Sequence, residues 1–214
     1  MNLDQARFFM VEQQIRPWDI LDPTVLDLIM DTPRHEFVAA EHVELAYCDV
    51  ELPIGHGEMM MPPRVEAKLL QALDIADSDT VLEIGTGSGY LTALLASMAK
   101  SVTTVEIHAS LQKTAQTRLT GYDNIHYQVG DGATDWNDNK QYDVIVLTGS
   151  VSEVSQAYLN KLNLGGRLFV IYGDAPAMKA SVFNRVGQDE WSEEEQFETD
   201  IQPLKNSQTT SFSF

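Results

Sequence analysis

The chain has 214 residues, 43% hydrophobic and 21% charged, which suits one globular domain that needs no disulfide or metal to hold a core. Fourteen Lys and Arg face thirty-two Asp and Glu, and the net charge of −18 argues against a nucleic-acid partner held by broad electrostatics. One cysteine, Cys48, excludes an internal disulfide and fits a reducing compartment.

The opening, MNLDQARFFMVEQQIRPWD, lacks the basic start and apolar stretch of a secretion signal, and no later apolar run approaches the ~18 residues of a membrane span. A cytoplasmic, monomeric protein with no membrane span is expected. Phe8, Val11 and Ile15 sit at helical spacing, and Pro17 closes that run. Asp22-Pro23 reads as an N-cap and a first-turn proline, leading a helix with Val25, Leu26, Ile29 and Met30 that Pro33 stops. Residues 47–63 read as loop, with Pro53, Gly55, Gly57, Pro62 and Pro63; Val65, Leu69 and Leu73 then mark another helical face.

From Thr80 the pattern becomes strand, turn and helix, repeated. Apolar runs at 81–84, 102–107, 125–129, 144–147 and 168–172 alternate with helical stretches at 90–99, 110–119 and 154–162. Short apolar strands alternating with helices predict an α/β fold, a doubly wound and mostly parallel sheet covered on both faces. Right-handed crossovers put the strand carboxyl ends on one edge, where a ligand is expected. The seven acidic residues from Asp189 to Asp200 read as a solvated loop ahead of an edge strand at 201–204. A single domain, 1–214, is expected, with helices and a loop over 1–75, a ligand-binding core over 76–205 and a loose tail over 206–214.

The informative segment is Val81-Leu82-Glu83-Ile84-Gly85-Thr86-Gly87-Ser88-Gly89-Tyr90, a strand running into a glycine loop that opens a helix. Glycine permits a sharp turn and close approach of a ligand, and the helix start offers amides to an anionic group. A nucleoside triphosphate would want a Lys after the glycines, and none is present. A dinucleotide would want glycine where Tyr90 stands. Glu83 suits a cation better than a pyrophosphate, which favours S-adenosyl-L-methionine and its product S-adenosyl-L-homocysteine. Taken alone, the loop also fits a plain structural turn. Glu106 ends the next strand, placed to accept from ribose hydroxyls, and Asp131 in Gly130-Asp131-Gly132 ends the third, placed to accept from an adenine amino group. Glu83, Gly85, Thr86, Gly87, Ser88, Gly89, Glu106, Ile107, Asp131 and Gly132 are the candidate cofactor residues. The five histidines show no paired metal-ligand spacing, and no metal is expected.

These residues look like class I S-adenosylmethionine-dependent methyltransferases. Within that superfamily, TPRHEFV at 32–38, AYCDVELPIGHG at 46–57, LEIGTGSGY and GDG resemble, in the same order, protein-L-isoaspartate O-methyltransferases. The similarity runs from about Phe8 to Leu204. The resemblance implies a Rossmann-like core with N-terminal helices capping the cofactor. It also implies methyl transfer to the side-chain carboxylate of isoaspartate in damaged proteins, a repair reaction. One segment departs. Where the family carries a sequence of the type Gln-Thr-Ile-Ser-Gln-Pro, this chain has Glu58-Met59-Met60-Met61-Pro62-Pro63. The family's substrate-contacting Ser or Thr falls on Met61, which donates no hydrogen bond. Met61, His56 and Arg64 are therefore the acceptor-side candidates, with no catalytic role assigned. A small-molecule acceptor, or a cofactor-binding protein acting through a partner, are the alternatives to an isoaspartyl protein or peptide.

Overall fold

The computed structural model describes residues 2–207. The N-terminal part is helical. Helix α1 (Leu3–Met10) is capped by the Asn2 side chain, which accepts from the Gln5 amide, and continues through a wide π-turn at Val11–Ile15 into a 3-10 turn at Arg16–Trp18. Val11 and Ile15 are buried as expected, but Phe8 is 48% exposed. The face that packs inward in α1 is Leu3, Ala6 and Met10. The π-turn explains the difference, because an extra residue per turn shifts the buried stripe between the two segments.

Helix α2 (Pro23–Asp31) has the expected start, with the Asp22 carboxylate accepting from the Thr24 amide and Pro23 in the first turn. Helix α3 (Pro63–Leu73) buries Val65, Leu69 and Leu73. Residues 47–63 are not all loop: strands β1 (Leu52–Gly55) and β2 (Glu58–Met60) form an antiparallel hairpin. Its two turn residues, His56 and Gly57, both have positive φ, which matches the twist of a tight hairpin. Proline and glycine there mark a strand pair, not an irregular loop.

The core is a seven-stranded sheet: β3 (Thr80–Ile84), β4 (Ser101–Glu106), β5 (Ile125–Val129), β6 (Tyr142–Leu147), β7 (Leu162–Tyr172), β8 (Met178–Gly187) and β9 (Glu190–Thr199). Its order is β5-β4-β3-β6-β7-β8-β9; the first five are parallel, and β8 and β9 are antiparallel. Helices α4 (Tyr90–Met98), α5 (Ala109–Arg118) and α6 (Gln156–Lys161) link the parallel strands. Alternation explains the two cores. Val81, Val144, Val146 and Phe169 pack with the N-terminal helices, α3 and α4, while Leu82, Ile145, Leu147 and Leu168 pack with Tyr158 and Leu159 of α6. This doubly wound α/β sheet matches the expected fold class.

The acidic run is itself the edge strand β9, paired along β8, so a solvated loop is the wrong description. Trp191 and Phe197 pack partly into the core, and the intervening glutamates face outward. Charges on an exposed edge discourage pairing with another chain. Residues 201–204 form a strap, not a sheet strand: Ser150 donates its amide to Gln202, and Leu204 donates to Ser150. Of the expected loose tail, Ser207 is buried and bonded to the Ser150 and Leu204 carbonyls, and residues 208–214 lie outside the described residues. Among the described residues, no helix is long and apolar enough to cross a membrane.

Candidate active site

Chain order reverses direction across the sheet at β3, which lies between β4 and β6. A crevice is expected at the carboxyl end of that strand. The structure has a cleft there, a placement typical of small-molecule sites in such sheets. Gly85, Gly87, Glu106, Ile107, Asp131, Gly132 and Met61 all line it, joined by Thr148 and Gly149 from the end of β6.

The glycine loop is held from below. Thr148 Oγ1 lies 2.9 Å from both the Ile84 and the Gly85 carbonyl oxygens, which share its one hydroxyl proton. Gly85 has φ +97°, and a Cβ there would sit 2.1 Å from the Thr148 hydroxyl, so only glycine fits. The loop amides are bonded within the protein: Gly85 and Thr86 to the Val105 carbonyl, Gly87 to Glu106 Oε2 and Gly89 to the Thr86 carbonyl. The helix start expected to offer amides lies just beyond these positions, and its first amide, that of Tyr90, donates to Ser88 Oγ at 3.2 Å. A loop whose donors are already used is a poor cradle for a pyrophosphate.

Glu106 is buried at the end of β4; one oxygen accepts from the Gly87 amide and the other from the His108 amide, both at 2.9 Å. A carboxylate offers about four lone-pair positions, so acceptor capacity remains toward the cleft. Asp131 accepts from the Ala133 amide at 3.0 Å and from Asn206 Nδ2 at 2.8 Å. Between them, Ile107, Leu111 and Ala133 give an apolar lining suited to a flat ring. Glu51, Glu58, Glu106 and Asp131 stand against the single cation Lys205 among the lining residues. This donor and charge set fits a cationic adenosyl ligand and opposes a dinucleotide.

Two elements roof the cleft. The hairpin contributes Ile54, Glu58, Met59 and Met61, and the strap contributes residues 201–205. Gln202 Nε2 fastens them together by donating to the Gly57 carbonyl at 2.8 Å and to Glu58 at 3.3 Å. Beneath the hairpin a small inner chamber is lined by Met59, Met60, Met61, Thr86, Ser88 and Glu66 among others.

Several candidates stand elsewhere. Glu83 is fully buried behind the loop, where Thr92 and Thr104 each donate to its Oε2 at 2.6 Å. Burial raises its pKa to about 8 against these hydroxyl bonds, and its carboxylate lines neither the cleft nor the chamber. The strand alternation that sends Ile84 to one face sends Glu83 to the other, beneath α4. Gly89 caps α4 with φ +87° and lies against Ala115 and Leu119, so its lack of a side chain serves helix packing. His56 points out at the hairpin turn, stacked on His108 at 4.3 Å and bonded to Ser110. Arg64 leans over the Trp18 ring at 3.7 Å and pairs with Asp49. Neither lines the cleft or the chamber. Sequence reasoning missed Thr148 and the strap. Thr148 had a signal, since it follows the fourth parallel strand; the strap depends on a contact spanning about fifty residues, from Ser150 to residues 201–204.

Known proteins are similar to this chain in sequence and in fold. A family model, protein-L-isoaspartate(D-aspartate) O-methyltransferase, matches residues 7–208. A protein-L-isoaspartate O-methyltransferase 1 of Geotalea uraniireducens is 38% identical over 197 residues, covering 91% of this chain and 90% of that one. One from Picosynechococcus sp. is 41% identical over 166 residues, covering 77% and 75%. A Plasmodium falciparum crystal structure, described as an enzyme of this kind in complex with S-adenosyl-L-homocysteine, shares the fold with a TM-score of 0.77 at 17% identity over 96% of this chain and 99% of that one. With the family model spanning nearly the whole chain and relatives this similar, the chain belongs to the protein-L-isoaspartate(D-aspartate) O-methyltransferase family.

Proposed function

We propose that this protein methylates the side-chain carboxylate of L-isoaspartyl residues in damaged proteins, using S-adenosyl-L-methionine. The observation that supports the reading is one cleft, at the strand-order reversal, in which Gly85, Gly87, Glu106 and Asp131 meet the wall formed by Met59 and Met61. S-adenosylmethionine, when bound, supplies an activated methyl group on a sulfonium. The protein needs no base for such a substrate, because a carboxyl group with a pKa near ~4 is already anionic at neutral pH. The location of His56 outside the cleft accords with this. Glu106 and Asp131 would hold the adenosyl end, and Thr148 fixes the glycine loop that faces the hairpin. The hairpin and strap exclude water and hold the acceptor oxygen still; a near-attack separation of roughly 3–3.5 Å is what such positioning must provide.

The methionine wall also suits a small apolar acceptor. The experiment separates the two: methyl-labelled cofactor is incubated with an isoaspartyl peptide and, in parallel, with whole-cell extract. Base-labile label on the peptide supports the proposal. Cofactor binding with label only in small molecules replaces it with the second reading, and binding with no label anywhere leaves a protein that acts through a partner.

A further inference from the structure

Arg34 is 0% exposed and lies in the short 3-10 turn Arg34–Phe37, outside both the cleft and the chamber. A charge so deep requires partners. Its Nη1 donates to Glu66 in the first turn of α3, and its Nη2 donates to the Met61 carbonyl at the end of the hairpin. Its guanidinium sits 4.9 Å from the centre of the Tyr90 ring, and Tyr90 opens α4 immediately after the glycine loop. Phe37 braces that ring from the edge at 5.4 Å. One side chain therefore ties the acceptor wall, α3 and the glycine-loop helix together. Glu66, itself buried, lines the inner chamber and neutralises the guanidinium.

We infer that Arg34, fixed by Glu66, is a positioning residue for methyl transfer: it sets the separation between the Met59–Met61 wall and the glycine loop. The planar fork suits this task, because two donors held in fixed geometry constrain the Met61 carbonyl and the Glu66 carboxylate at once. A lysine keeps the charge and one contact but not both. Misplacement of a reacting group by about 1 Å costs on the order of a hundredfold in rate. The inference rests on the methyltransferase reading above.

Two variants and two readouts test it. Arg34→Lys keeps the pair neutral; the Arg34→Met/Glu66→Leu double variant replaces the buried pair by apolar side chains, a change that commonly preserves stability. With an isoaspartyl peptide, both should lose roughly tenfold to a hundredfold in kcat while the Kd for S-adenosylhomocysteine stays within about threefold. Hydrogen exchange at the Glu58–Met60 strand should quicken about tenfold or more in both, with α3 and α4 protected as in the parent. A double variant with parental kcat overturns the inference, as does affinity for the homocysteine product falling in step with kcat. Unchanged exchange in the hairpin overturns it too, even if the parent methylates no isoaspartyl peptide; that separate result would count against the methyltransferase reading instead.

Discussion

The Glu106 carboxylate accepts from the Gly87 and His108 amides, so its removal would loosen the glycine loop as well as take away an acceptor for ribose hydroxyls. Glu106→Ala should weaken S-adenosylhomocysteine binding by about 1–3 kcal/mol, read by calorimetry; unchanged affinity would mean that the adenosyl group lies elsewhere. Glu83 serves differently. Its pKa rises from an ordinary 4.5 to about 8 because it is buried, with Glu106 and Glu66 nearby adding to the rise and Thr104 and Thr92 opposing it. The folded protein therefore keeps a proton that the unfolded chain has lost. That contribution to stability is full below the unfolded value and is lost as pH climbs through about 8. Melting temperature should fall more steeply from pH 5 to pH 8 in the parent than in Glu83→Gln, and parallel curves would contradict the assignment. Met61 lines both cleft and chamber, where a hydroxyl would reach the acceptor. Met61→Ser should raise the rate on an isoaspartyl peptide about tenfold, since a hydrogen bond to a charged group contributes about 1.5–3 kcal/mol when made in the transition state. An equal or slower rate would show that the methionine wall already positions the substrate.

The hairpin and the strap form a lid joined through Gln202. Gln202→Ala removes those bonds and should speed cofactor dissociation roughly threefold to tenfold, with little change in association; stopped-flow fluorescence reads both rates. Dissociation at the parental rate would show that the lid is held by apolar packing. Local patterns explain which elements were legible in the sequence. Strand β3, its glycine turn and α4 announce themselves through an apolar run, three glycines and helical spacing within about twenty residues. Helix α2 does so through Asp22-Pro23. The hairpin was hidden because prolines and glycines mark tight turns and irregular loops alike. Strand β9 was hidden by glutamates that an exposed edge tolerates. The strap and the Arg34–Glu66 pair depend on contacts between distant segments, which no local period reports. Glu83 was misplaced for a related reason: its spacing from Gly85 is visible in the sequence, but the face of β3 it takes is fixed only when α4 packs above it.

At the scale of the whole molecule, −18 net charge should bias encounters between the protein and its substrates. Isoaspartyl peptides flanked by lysine should show a lower KM than peptides flanked by glutamate at low salt, and the gap should narrow as the Debye length falls from about 30 Å at 0.01 M to about 8 Å at 0.15 M. A gap that ignores salt would assign the preference to direct contacts. The sheet, lid and cleft together are built to bring a carboxylate to an adenosyl-bound methyl donor and keep water away. The most direct measurement is the initial rate of methyl ester formation on a matched pair of peptides, one with isoaspartate and one with ordinary aspartate at the same position. Base-labile ester is expected on the isoaspartyl peptide and none above background on its partner. Tight binding of S-adenosylhomocysteine with no ester on either peptide would contradict it.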